Sequence, residues 1–563
     1  MKKIALLSML TLALLLTQCK KKEVDAVTNS AEKVFITFNA TNVGEKTVFH
    51  PEDGTFTWNA GSTEYIHVGG NVTGYLGKLS KEAGSSDFSG DIDDPSSNER
   101  LYFIYLGNGD KDIDASAEST TMDFSNQSST GTESNVTNYH IAVGSAAYSA
   151  SGEYSANMNM KMAIAYFDLS NFSGETVYMH GADVYSTATI NFHTGAVTGT
   201  NGFVNLGTGG SSKFIAMISQ TTPSKTTVKF DSNSKTGSME FVRGIKAGSY
   251  YCQDATTALA PTQGSLPVGA LPGLFSVSAT KMVRFSKGNL QYDKETSSFS
   301  FMENQYDKIE NGAQDVGSDY ANQTIVSLFG WGTSRWNNGS TYYHPIRTAR
   351  GKTNEGGSYG PNDGSSYTYD LTGEYANADW GQYNKIVNGG NKAGMWRTLT
   401  IGEWQWLLGP SSSPTPGANC RTSSTVNGTT DARFTMANVK DSENNDNYGM
   451  IIFPDIYTSD APDGVTWNSA NIFVAVNNAG LSHVTSPGWE SLENAGCVFL
   501  PASGSRSVTT VSNVGTQGRY WSSSCDGILY AGWIGFGPSL LYSPGSSGWR
   551  YSGRSVRLVC DVN

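Results

Sequence analysis

Regular patterning begins at Val34. Val34-Phe35-Ile36-Thr37-Phe38-Asn39-Ala40 alternates, and Phe56-Thr57-Trp58 and Tyr65-Ile66-His67-Val68 follow, separated by Asp-Gly, Ala-Gly and Gly-Gly turns. Alternation sends successive side chains to opposite faces of a strand. Leu101-Tyr102-Phe103-Ile104-Tyr105-Leu106 is a short apolar run that predicts a buried strand. The pattern resumes at Met162-Ala163-Ile164-Ala165-Tyr166-Phe167-Asp168-Leu169, Val177-Tyr178-Met179-His180 and Ala188-Thr189-Ile190-Asn191-Phe192. Val228-Lys229-Phe230 and Met239-Glu240-Phe241-Val242 then lead into Ile245-Lys246-Ala247-Gly248-Ser249-Tyr250-Tyr251. Short strands with this turn punctuation predict two all-β sandwiches, residues 34–157 and 158–256. Residues 107–155, rich in Ser, Thr, Asn, Gly and Asp, are expected to form long loops with one or two strands.

Residues 257–273 carry Pro261, Pro267 and Pro272 among Gly and Ala, which predicts a moderately stiff linker. Composition then changes, because eleven of the twelve Trp lie after residue 330. Residues 274–563 are therefore expected to be a separate unit with its own aromatic core. Phe275-Ser276-Val277-Ser278 and Met282-Val283-Arg284-Phe285 read as strands, and Leu328-Phe329-Gly330-Trp331-Gly332 as a tight turn. Residues 334–390 show little period. Thr400 with Glu403 three positions on predicts a capping box, Trp404, Leu407 and Leu408 share one helix face, and Gly409-Pro410 ends the helix. The last sixty residues fit no period. Large apolar residues there sit among Gly, Ser and Pro, which predicts that many face solvent; Trp521 is expected in the core.

Two resemblances follow from these residues. Trp396-Arg397-Thr398-Leu399-Thr400, Glu403-Trp404, Phe499-Leu500-Pro501-Ala502, Tyr520-Trp521-Ser522-Ser523, Phe536, Arg550, Gly553 and Ser555-Val556-Arg557-Leu558-Val559 resemble the C-type lectin fold of the formylglycine-generating-enzyme type. The match is closest to the variable proteins of diversity-generating retroelements and spans residues 274–563. It implies an α+β scaffold whose surface residues near the C-terminus, here within 523–552, are diversified to change ligand. The implied ligand-binding residues are Ser524, Cys525, Asp526, Ile528, Tyr530, Trp533, Gly535, Ser539, Leu541, Ser543, Trp549 and Tyr551. Ala531, Phe536, Arg550 and Gly553 read as framework. Residues 34–256 are similar to fimbrillin-type sandwiches of anchored surface lipoproteins and pilins, through the opening strand, Phe56-Thr57-Trp58 and the closing Ala247-Gly248-Ser249-Tyr250-Tyr251.

At the start, Met1-Lys2-Lys3 and an apolar stretch over residues 4–16 form a signal segment too short to span a bilayer. Leu16-Thr17-Gln18-Cys19 resembles a lipobox, although Gln18 stands where that family has a small residue. The resemblance implies cleavage of residues 1–19 as a lipoprotein signal, acylation of Cys19, a tether over 20–33 and lipid anchoring at the outer-membrane surface; an ordinary cleaved signal is the alternative. The 563 residues carry a formal net charge of −12 and no basic stripe, which argues against nucleic acid as a partner.

No catalytic constellation emerges. Seven His are scattered outside any metal or nucleophile pattern. The Asp-rich stretches at 91–94 and 110–114 lack the calcium-loop spacing. Gly356-Gly357-Ser358-Tyr359-Gly360 matches a nucleophile pattern without a strand before it or a helix after it. Among the six Cys, Cys497 and Cys560 are candidates to pair, and the oxidising Cys pair of formylglycine-generating enzymes is missing from its context. No cofactor or metal is expected. The sequence thus points to a surface lipoprotein that binds an unknown protein or glycan non-covalently, with a fimbrial or pilus-tip subunit, or an adhesin without diversification, as the alternative.

Overall fold

The alternation that starts at Val34 becomes an inner strand of a sheet. In the computed structural model, which describes residues 33–562 except 42–47, 53–54, 58–62, 82–86, 129–135, 255–256, 309–323, 337–368, 410–419, 422–423, 458–461, 469–479, 508–509, 528–529 and 538–539, that strand is Lys33–Thr41. It runs antiparallel to Asp87–Asp93 and parallel to Glu153–Asn157 within an eight-stranded sheet. Ile36 and Phe38 point into the core while Phe35 is 62% exposed. Phe38 stacks on Phe103 at 3.9 Å. The signal segment, Cys19 and the glycine-rich Ser358 stretch lie outside the described residues.

The expected boundary at 157/158 is crossed by hydrogen bonds. Ser119–Asp123 pairs with Tyr185–Asn191, which also pairs with Val197–Asn201. One apolar cluster joins Ile104, Phe124 and Ile141 to Met162, Ile190 and Ile218. Over 107–155 two strands, Ser119–Asp123 and Ile141–Ala147, stand between longer irregular stretches, as expected, and a third, Glu153–Asn157, begins at the end of that range.

A five-stranded sheet, ordered Val204–Thr208, Thr176–His180, Thr226–Asp231, Thr236–Phe241 and Thr262–Gly264, packs against Met162–Asp168 and Ser212–Ile218 through Phe167, Val177, Ile215 and Phe230. Thr262–Gly264 belongs to the stretch expected as a linker, which is therefore docked as an edge strand.

In the C-terminal unit, Lys281–Phe285 lies between Phe275–Ser278 and Leu558–Asp561, so the chain's last strand returns beside the unit's first pair. A second sheet is built around Phe434–Lys440 and Asp446–Ile452. The helix Ile401–Leu408 forms with both halves of the capping box, and Gly409 ends it at φ +93°, a conformation that favours glycine. Arg397 grips Glu403 of that box with both Nη atoms, at 2.7 and 2.8 Å, and reaches Asp561 through Nε at 2.9 Å. The helix start is thereby tied to the final strand. Trp331, Trp380, Trp396, Trp404 and Trp521 are all fully buried. No disulfide links Cys497 to Cys560, which corrects that expectation. Among the described residues no helix is long and apolar enough to cross a membrane, which says nothing of a β-barrel.

Candidate functional site

The block that fits no period folds as three strands, with register shifts between Trp521 and Cys525 and between Trp533 and Gly535. Gly518–Asp526, Tyr530–Gly537 and Leu540–Trp549 make an antiparallel meander. Its glycines resemble turn formers in sequence, but several are strand positions roofed by large side chains. A Cβ on Gly535 would lie 2.2 Å from the Trp533 ring, and one on Gly548 would lie 2.0 Å from Nη2 of Arg554. Ring and guanidinium fill the space that glycine leaves, so the usual apolar alternation is missing.

Asp526, Tyr530 and Trp549 stand opposite one another across the three strands. This register brings the Tyr530 and Trp549 rings to 4.4 Å, and Tyr551 stacks on Trp549 at 5.6 Å. All three rings are half-buried, and Asp526 beside them is exposed. Arg550, between Trp549 and Tyr551, turns inward. Its Nε donates to the Tyr530 carbonyl at 3.1 Å and its Nη2 to the Gly527 carbonyl at 2.9 Å. The guanidinium also lies 4.5 Å from the centre of the buried Trp331 ring. Burial pushes the Arg550 pKa down, while the neighbouring Cys525 opposes the shift. The aromatic edge is thus held from beneath by one arginine bonded to two carbonyls.

A segment missed in the sequence joins this edge. Asp370 accepts the Cys525 N–H at 2.8 Å, and the Leu371 N–H donates to the Ser523 carbonyl at 2.8 Å. This docks the 369–371 stretch on the first strand of the meander. Tyr369 and Tyr375, both half-buried, pack at 4.3 Å. Their signal was only a tyrosine-rich composition, with no period to place them.

Several expected ligand residues are buried or bonded within the unit. Trp533 is 8% exposed and belongs to the core with Trp521, a correction to its expected exposure. The Arg554 guanidinium lies 4.0 Å from the Trp533 ring centre and 4.5 Å from that of Trp521. Burial drives the Arg554 pKa well below its usual value. Gly535 is likewise buried, under Trp533. Ser524 is half-buried and its hydroxyl accepts the Ile401 N–H at 3.1 Å, at the start of the helix. Cys525 is half-buried, and burial pushes its thiol pKa up. Leu541 lies on the third strand opposite Phe536, and Ser543 on the same strand, but their side chains fall outside the described residues. Ile528 and Ser539 also lie outside them. Ala531, Phe536 and Arg550 are buried. Among the described residues no group of three or more His, Cys, Asp or Glu could hold a metal ion.

No protein-family model matches the chain, and no curated protein matches it in sequence. Solved structures that align with it include candidate adhesion proteins and fimbrial proteins. A candidate cell adhesion protein from Bacteroides uniformis aligns at 14% identity and TM-score 0.28, over 42% of this chain and 98% of its own. A fimbrial assembly protein from Parabacteroides distasonis aligns at 9% identity and TM-score 0.22, over 48% of this chain and 99% of its own. The tip fimbrial protein of Porphyromonas gingivalis aligns at 9% identity and TM-score 0.22, over 42% and 92%. TM-scores of this size do not establish a shared fold.

Proposed function

We propose that this chain is a cell-surface adhesion protein in which a β-rich stalk presents a C-terminal recognition unit. The observation that carries the reading is the half-exposed stack of Tyr530, Trp549 and Tyr551, seated on buried Arg550. Rigid aromatic side chains give large contact area at low entropic cost, as in antibody paratopes. Recognition is non-covalent, and the partner is a protein or glycan outside the cell. Anchoring runs through an acylated Cys19, and fimbrial subunits are candidate neighbours in the assembly.

The test is binding of the whole chain to an array of glycans and extracellular-matrix proteins. Changing Trp549 and Tyr551 together to alanine should abolish the wild-type hits while the melting temperature stays close to wild type. Unchanged hits in that variant would sink the proposal.

A finer version is favoured by one observation: half-exposed residues lie on an otherwise buried frame of Ala531, Phe536, Arg550 and Val556. That arrangement suits a C-type-lectin-fold variable protein of a diversity-generating retroelement, in which the edge changes and the frame does not. Sequencing the gene's 3′ end across a population separates the two versions. Clustered changes within codons 523–552 support diversification; a flat distribution leaves an invariant adhesin or fimbrial subunit.

A further inference from the structure

Away from the aromatic edge, a cleft of about 850 Å³ opens where the second β-sheet region meets the C-terminal unit. Its volume falls in the range of ligand clefts, roughly 300–1,000 Å³, and junctions between units are a common place for them. The lining is unlike the rest of the molecule. The chain as a whole carries a formal net charge of −12. Yet Lys225, Lys229 and Lys281 all line this cleft, together with His180, and Asp183 is its one lining carboxylate. The three lysines come from different places: Lys225 precedes the Thr226–Asp231 strand, Lys229 lies within it, and Lys281 opens the Lys281–Phe285 strand of the other unit.

The cleft is also built to keep its shape. His180 Nε2 bonds Asp231 at 2.8 Å, and Asp231 bonds Arg284 of the C-terminal unit at 3.0 Å. Phe203, half-buried, packs on the His180 ring at 4.8 Å. Gly181 sits where a Cβ would lie 2.7 Å from the Thr227 carbonyl, so the wall approaches closely at that point. Lys225 pairs with Glu240 at 2.7 Å, but both side chains are largely exposed, so a ligand anion can compete for the ammonium. Lys281 has no ion-pair partner among the described residues. Polar lining comes from Asn201, Thr227 and Thr280.

We propose that this cleft binds an acidic oligosaccharide, whose ring carboxylates meet the lysines, whose hydroxyls meet the amide and threonine groups, and one of whose sugar faces packs on Phe203. Both charge and a flat apolar face are needed, which separates this ligand from a simple anion. The site is independent of the aromatic edge and of the reading based on it.

The probe is a trimer of galacturonic acid, titrated calorimetrically into the full chain at low salt. Binding is expected, at least tenfold weaker in the Lys225→Glu/Lys281→Glu double variant and weaker again as salt rises. Phe203→Ala, which leaves every charge in place, should also weaken it several-fold. A neutral glucose trimer should not bind. The proposal is overturned if the acidic trimer fails to bind, or if the charge-reversed variant binds it equally well. It is also overturned if a triglutamate peptide or inorganic sulfate binds as tightly, since the cleft would then read charge alone. Melting curves of each variant, matched to wild type, show that lost binding is not lost folding.

Discussion

Arg284 donates to Asp231 at 3.0 Å across the boundary between the second β-sheet region and the C-terminal unit, with both side chains almost fully buried. Arg284 also donates to the carbonyls of Ser232, at 2.7 Å, and Asn233, at 2.6 Å, and the second carboxylate oxygen of Asp231 takes His180. Removing one partner of a buried ion pair leaves a charge uncompensated, at a cost of about 3–5 kcal/mol. Asp231→Ala is therefore expected to lower unfolding free energy by about that amount in urea titration. A change below roughly 1 kcal/mol would mean that this contact does not hold the junction.

His67 makes the stability of the N-terminal sheet depend on pH. It is 1% exposed, its Nδ1 lies 3.2 Å from the Tyr75 hydroxyl, and burial lowers its pKa to about 4. Because the folded value is depressed, the unfolded chain takes up the proton first. The stabilising contribution is present above the ordinary histidine value near 6.5 and is lost as pH falls through about 4. Across that window the loss is on the order of a few kcal/mol. Urea midpoints at pH 7 and pH 4.5 should differ by less in His67→Gln than in wild type. An equal pH dependence in the two proteins would show that His67 is not the group responsible.

Two tryptophans of one meander should respond unequally. Trp533→Ala empties a core position and should cost about 3–5 kcal/mol in stability. Trp549→Ala, on the half-exposed edge, should cost well under half of that, about 1–2 kcal/mol, and show its effect in partner binding instead. Thermal melts of both proteins decide this. Equal losses would put Trp549 in the core.

The thiols give a further check. Burial pushes the Cys560 thiol pKa up to about 12 and that of Cys497 well above its usual value, and no disulfide joins any of Cys252, Cys420, Cys497, Cys525 and Cys560. Buried, protonated thiols react slowly. In the folded chain an aromatic disulfide reagent should label the half-buried Cys252 and Cys525 first, with the other three following only after denaturation. Peptide mapping that finds a Cys497–Cys560 bridge would contradict the structure.

The elements read correctly from sequence are those in which side-chain spacing and burial coincide. Ala163, Ala165 and Phe167 alternate with their neighbours on a two-faced strand and fill one cluster, so period two was visible. The helix at Ile401 carried both its cap and its stop. The misreadings arose where burial depends on a distant partner. Trp533 is covered by Arg554, twenty-one positions later. Asp370 meets Cys525 across 155 positions, a separation no local pattern can encode. The helix Ser486–Asn494, capped by Thr485, carries Pro487 and Gly488 in its first turn, residue types that by themselves signal turns and helix breaks.

The strand Ser119–Asp123 pairs with Tyr185–Asn191 at five positions, although a boundary near residue 157 was expected between them. Under mechanical load the segments before and after that boundary stay joined until those five pairs have parted. Pulled from its two ends, the chain should therefore not come apart at residue 157 before that pairing is broken.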